Sequence, residues 1–237
     1  MHIYTITTLY LFPIPIADNS MHDVIPSAVL NQYKSITLWF VENARTCRQF
    51  LKKIDSSIDI DLLTIFELDK HQPQQQLQDI ESLMKTHHFI GVMSESGLPC
   101  IADPGNLVVR IAHKLGVKVK PFVGPSSILL ALMASGFNGQ NFKFNGYLPI
   151  QSDTLKPFLL NLEKDSAKTT QLFIEVPYRN DKTFQFLVQH LSPETYLLIA
   201  KDITGENEYI QCKPIKEWKK SDIVIGKTPC VFGISLG

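Results

Sequence analysis

The feature that most constrains this chain is a series of short apolar runs in its first 120 residues. They are Leu9–Ile14 (LYLFPI), Thr37–Val41 (TLWFV), Leu63–Leu68 (LTIFEL), Phe89–Ser94 and Val117–Val123 (VKVKPFV). As a set they are continuous rather than alternating. A strand with one wet face alternates, whereas a parallel strand covered on both faces reads as an apolar block. Helical patterns fill the gaps. Ala44–Ile54 sets Cys47, Phe50, Leu51 and Ile54 on one stripe, and Gln74–Lys85 does so with Leu77, Ile80, Leu83 and Met84. A third helix is expected at Leu107–Leu115, after Gly105. Strand and helix in alternation predict an α/β domain with a mostly parallel sheet.

The pattern changes after Gly124-Pro125. Ser126–Ser135 (SSILLALMAS) reads as a helix opened by Ser caps and closed by Gly136. Strands are expected at Phe142–Leu148, Gln171–Val176, Tyr196–Asp202, Glu208–Lys213 and Pro229–Ser235, with helices at Thr154–Lys164 and Asp181–Leu191. No strong helix separates the last two strands, so part of this sheet should be antiparallel. The reading is two domains, 1–120 and 121–237, the first a mostly parallel α/β unit and the second a mixed α/β unit. At 237 residues with 44% apolar content, the chain is long enough to bury two cores.

Charge is less informative, with 23 basic residues balancing 23 acidic ones. The balance neither announces nor excludes a nucleic-acid partner, because distribution matters more than the sum. The four cysteines (Cys47, Cys100, Cys212, Cys230) show no zinc spacing and read as reduced thiols. The N-terminus has no basic leader or cleavage site, and Leu9–Ile16 is broken by Pro13 and Pro15. A cytoplasmic protein with no membrane partner is expected.

Three polar loops leave the carboxyl ends of first-domain strands: Pro13–Ser20 (PIPIADNS), Glu42–Arg45 (ENAR) and Ser94–Gly105 (SESGLPCIADPG). Gly124–Ser127 (GPSS) follows the fifth strand. Ligands of open parallel sheets sit outside those carboxyl ends. GPSS opens a helix, where free N–H groups and hydroxyls suit a carboxylate or a ribose, or serve only as caps. There is no GxGxxG, P-loop, HExxH or GxSxG, and no metal is expected. Glu95 and Asp103 are two carboxylates in one loop and could act as acid and base. Asp103, before Pro104-Gly105, reads more simply as the cap of the next helix. Lys213–Lys220 (KPIKEWKK) could grip phosphates beside Trp218, or be a solvated turn with the Trp packed beneath it.

Taken in order, these stretches resemble the tetrapyrrole methylase superfamily, and within it the ribosomal RNA small subunit methyltransferase I branch. The likeness runs from about Leu9 to the C-terminus. The motif PTPIGNL is met by Pro13-Ile14-Pro15-Ile16-Ala17-Asp18-Asn19, EDTR by Glu42-Asn43-Ala44-Arg45, and SDAGTPxISDPG by Ser94–Gly105. LVR is met by Val108-Val109-Arg110, PxPGPxA by Pro121–Ser127, and FxFxGFLP by Phe142–Pro149. YESPHR is met by Ile174–Arg179 and ARELTKxxE by Ala200–Glu208.

The resemblance implies two α/β domains with S-adenosylmethionine in the cleft between them, a homodimer, and methylation of a cytidine ribose 2′-hydroxyl in small-subunit ribosomal RNA. It implies cofactor contacts from Pro13, Pro15, Ser94, Glu95, Ser96, Gly97, Leu98, Pro99, Gly124, Pro125, Ser126, Ser127 and Ala134. A base or orienting group for the hydroxyl is sought among Glu42, Glu95 and Glu175, with Asp103 behind them. Phosphate would meet Arg45, Arg179 and Lys201. The chain departs from the pattern at Ala17 (for Gly), Asn43 and Ala44 (for Asp-Thr), Glu95 (for Asp) and Leu98 (for Thr). RELTK becomes Lys201-Asp202-Ile203-Thr204-Gly205. Two other readings stay open here: a methyltransferase of a small, tetrapyrrole-like molecule, and a homologue that binds the cofactor without catalysis.

Overall fold

The computed structural model describes residues 6–18, 20–69 and 73–236. Asn19, the last residue of the first loop motif, lies outside the described residues. The chain divides into two compact units, Met1–Pro125 and Ser126–Gly237.

In the first unit, five strands are β1 (Thr8–Phe12), β2 (Leu38–Val41), β3 (Thr64–Glu67), β4 (Phe89–Met93) and β5 (Lys118–Pro121). They form a sheet of order β3-β2-β4-β1-β5, every pair parallel. Helices α1 (Met21–Val24), α2 (Ser27–Gln32) and α3 (Ala44–Ile54) cover one face, burying Met21, Val29, Leu30 and Leu51 against Phe12, Trp39 and Met93. Helices α4 (Leu77–Thr86) and α5 (Asn106–Lys114) cover the other, burying Ile80, Met84 and Ile111 against Leu9, Phe40 and Ile90. Two covered faces explain the continuous apolar runs. The edge strand β5 is the exception: its Lys118 and Lys120 alternate with Val119. Charged edges of this kind discourage pairing with other chains.

The order places β1 and β4 side by side, with β1 leading to the loop at Pro13 and β4 to the loop at Ser94. The loops after β2 and β5 flank them. Four carboxyl-end loops are thereby neighbours in one sheet.

In the second unit, α6 (Ser127–Ser135) is followed by β6 (Phe142–Tyr147), α7 (Ser152–Asp165), β7 (Thr170–Ile174), α8 (Asn180–His190), β8 (Tyr196–Lys201), β9 (Tyr209–Pro214), α9 (Ile215–Trp218) and β10 (Cys230–Ser235). The sheet order is β6-β7-β10-β8-β9. Only β6 and β7 run parallel; the other three pairs are antiparallel. The expected antiparallel part is present, but the last two strands do not pair with each other. Both flank β8, and β10 enters the middle of the sheet. Its Cys230, Val231, Phe232 and Ile234 are buried accordingly.

Candidate active site

Two loops of the first unit are joined by backbone. Ile14 N–H donates to the Gly97 carbonyl (2.8 Å), and Gly97 N–H donates to that of Ile14 (3.1 Å). Gly97 has φ +68°, a conformation costly for a residue with a Cβ. A Cβ there would meet Ile16 Cγ2 at 3.1 Å and the Pro125 carbonyl at 3.3 Å. Gly124 lies so close to Pro13 that a Cβ would reach the proline Cγ at 2.6 Å and Leu98 Cδ2 at 3.4 Å. The buried Tyr33 hydroxyl donates to the Pro13 carbonyl, and burial raises its phenol above the ordinary tyrosine value. Segments 13–16, 94–99 and 124–125 thus meet as three backbones.

The loop's own polar groups set its shape. Ser94 is buried and its hydroxyl donates to the Ser96 carbonyl (3.0 Å). Beyond Pro99, Cys100 (φ 68°) and Ala102 (φ 63°) are left-handed without being glycine. Such strain costs on the order of 1–3 kcal/mol per residue and gathers at functional loops. Burial, and then the charge of Asp103, pushes the Cys100 thiol up to about 11. The N-cap position of α5 is Gly105, two residues after the Asp103 expected there. A φ of +124° at Gly105 lets the chain turn directly into the helix.

The candidate carboxylates separate by their surroundings. Glu175, in the second unit, is buried and fully engaged. Its Oε2 pairs with Arg179 Nη2 (3.0 Å) and accepts from Thr183 Oγ1 (3.0 Å), and its Oε1 accepts from Val176 N–H (2.8 Å). Glu42, at the end of β2, accepts the Glu95 N–H (3.3 Å) and is engaged elsewhere as well. Glu95 is exposed; its Oε1 accepts from Thr46 Oγ1 (3.1 Å). Among the described residues its Oε2 has no hydrogen-bond or ion-pair partner.

The candidate cations also differ. Arg45 is exposed on the first turn of α3, next to the Asn43 cap, whose side chain accepts from Arg45 and Thr46 N–H (2.9 and 3.1 Å). Arg179 is held by Glu175. Lys201 donates to the Val224 carbonyl (3.1 Å), with its ammonium 5.8 Å from the Tyr209 ring centre.

In the second unit, Ser126 caps α6 by accepting from Leu129 N–H (3.4 Å), Ser127 opens the helix and Ala134 is exposed on it. Trp218 is buried with its Nε1–H on the Leu197 carbonyl (2.9 Å), and Lys213 lies over its ring at 4.1 Å. The KPIKEWKK run is therefore the end of β9, helix α9 with its packed Trp and a short turn, rather than the solvated turn expected or an aromatic platform. A cavity of 460 Å³ in this unit, bordered by Ser135, Phe137, Thr170 and Tyr196, contains none of the candidate residues. No cluster of three or more His, Cys, Asp or Glu among the described residues is placed to hold a metal, and no helix there is long and apolar enough to cross a membrane.

No family model matches the chain. The ribosomal RNA small subunit methyltransferase I of Vibrio cholerae is 32% identical over 209 residues, 88% of this chain and 69% of that protein. The chain belongs to the ribosomal RNA small subunit methyltransferase I family. Proteins of the same name are 28% identical in Buchnera aphidicola of Schizaphis graminum (90% of this chain, 73% of that one) and 27% in Escherichia coli O157:H7 (90% and 72%). This member of the methyltransferase I family also shares its fold with a solved diphthine synthase, at 14% identity and TM-score 0.66, over 97% of this chain and 89% of that one. Uroporphyrin III C-methyl transferase from Thermus thermophilus matches with TM-score 0.54 and 14% identity, over 97% of each chain. At that identity these likenesses speak to the fold alone, which is that of the tetrapyrrole methylase superfamily. The protein is a methyltransferase.

Sequence reasoning missed Thr46 and Tyr33, which hold site residues in place. Neither belongs to an apolar stripe or a motif used to find the loops, and each acts through a contact that only the fold creates.

Proposed function

We propose that this methyltransferase I family protein uses S-adenosylmethionine to methylate a cytidine ribose 2′-hydroxyl in small-subunit ribosomal RNA. The observation that carries the reading is the backbone bridge between Ile14 and Gly97, closed over by Gly124 against Pro13. Where glycines leave no room for a Cβ, these backbones pack directly on one another and fix the loop ends outside the carboxyl edge of the sheet, where ligands of open parallel sheets sit. In the family motif these loops border the methionine end of S-adenosylmethionine. Pro13, Pro15, Ser94, Ser96, Gly97, Leu98, Pro99, Gly124 and Pro125 would hold it. The assignment of Ser126, Ser127 and Ala134 rests on the motif alone.

When bound there, S-adenosylmethionine would supply the methyl group, the carbon–sulfur bond breaking as the carbon–oxygen bond forms and a neutral thioether being left. Glu95 takes the hydroxyl proton on Oε2, the oxygen that Thr46 leaves open. Glu42 fixes the Glu95 backbone. Arg45, exposed beside them, meets a phosphate of the acceptor strand. Arg179 and Lys201, both in the second unit, are further phosphate donors on the strength of the motif alone. The family resemblance supports a cytoplasmic homodimer, which light scattering on a sizing column tests.

The test has two arms. Calorimetry should show S-adenosylmethionine binding to the wild-type protein and none to Gly97→Asp; normal binding by the variant would sink the assignment of the pocket. Labelled cofactor with 30S subunits from a strain lacking the family enzyme should label the 16S RNA. Binding without transfer would favour a small-molecule acceptor or a non-catalytic homologue.

A further inference from the structure

Glu95 follows a buried serine but is itself exposed, and its side chain has three rotatable bonds. A free glutamate of this kind loses rotamer entropy when it is fixed in one place. A proton acceptor must nevertheless stand within hydrogen-bond reach of the hydroxyl it serves. The segment 42–46 holds it at both ends. Glu42 Oε1 accepts the Glu95 backbone N–H (3.3 Å), and Thr46 Oγ1 donates to Glu95 Oε1 (3.1 Å). Thr46 is itself fixed. Its N–H is bonded to the Asn43 cap (3.1 Å), it sits in the first turn of α3, and its β-branched side chain has few rotamers.

We infer that Thr46 is a positioning residue for methyl transfer: it binds one oxygen of Glu95 and so aims the other at the acceptor hydroxyl. The inference rests on the role given to Glu95 above. It assigns the β2–α3 segment a task beyond carrying Arg45, because the same short stretch sets both the place and the direction of the proton acceptor. A hydroxyl suits the task better than a cation. It orients the carboxylate without a full neutralising charge beside it, so the second oxygen stays able to accept a proton.

The experiment compares wild type, Thr46→Val, Thr46→Ala and Thr46→Ser in two measurements. Carbon-13 relaxation of the Glu95 γ-methylene reads its order without any need for activity. It should be rigid in wild type and Thr46→Ser and mobile in Thr46→Val and Thr46→Ala. Transfer of labelled methyl to 30S subunits should then show kcat lowered by about tenfold to a hundredfold in Val and Ala, with KM and cofactor affinity unchanged, and recovered to within about twofold in Ser. Equal order in all four proteins overturns the inference. So does a wild-type rate in Thr46→Val, or a Thr46→Ser protein as slow as the valine variant. If Val does not fold, Ala carries the comparison. If wild-type protein orders Glu95 but labels no RNA, the acceptor proposed above fails, and the relaxation data alone decide whether Thr46 positions the carboxylate.

Discussion

Glu95 and Glu175 are both glutamates just past the carboxyl end of a strand, yet their neighbours leave them in opposite surroundings. One oxygen of Glu95 is open, whereas both oxygens of Glu175 are committed to Arg179, Thr183 and Val176 N–H. Glu95→Gln should therefore lower kcat for methyl transfer by about a hundredfold or more while the calorimetric cofactor affinity holds. Glu175→Gln should instead act on stability. With Glu175 buried and Arg179 largely so, removing the charge leaves Arg179 uncompensated, and urea unfolding should show a loss of about 3 kcal/mol. These differences were not visible in the sequence, where both residues are simply acids inside motifs. A motif marks a residue, and only the fold shows which of its atoms are already in use.

At the scale of elements, Gly91 shows how one strand makes room for another. It lies in β4 opposite Trp39 of β2, and a Cβ on it would come within 2.5 Å of the indole Cε3. Trp39 is fully buried among Phe12, Tyr33 and the sheet. Gly91→Ala should cost about 1–3 kcal/mol in urea unfolding, because the ring has no free space to move into. The parallel strands were legible because burial on both faces leaves a plain apolar signature, and α3 matches its expected range residue for residue. Helices α1 and α2 were not. They span four and six residues, too few to establish a period, and Pro26 stands at the start of the second. The position of β10 was hidden for a different reason. Strand order is set by which edge the last segment can enter, and a local pattern carries no record of that. The three loops of the site were legible as loops, but their meeting depends on β1 lying beside β4 and β5.

Across the whole molecule, the four cysteines link stability to pH. Burial pushes Cys47 and Cys230 up to about 12, and Cys212 to about 11, from an ordinary value of 9.0; Cys100, raised by burial and by Asp103, also reaches about 11. The folded protein holds these protons more tightly than the unfolded chain does. Their contribution is complete below pH 9 and is lost as pH rises from there toward 11 and 12. The urea midpoint should thus be flat with respect to thiol ionisation up to about pH 8.5 and fall by about pH 10.5. Thiol reagents should modify all four slowly at about pH 8. Finally, Gly124 rests on Pro13, so the last turn of the first unit touches the loop that leaves its first strand. A nascent chain cannot make this contact until residue 124 has emerged and folded back. If the proposed pocket is right, fragments that end before it should bind no S-adenosylmethionine by calorimetry, however much of the sheet they form, so ligand binding would time the completion of the unit during synthesis.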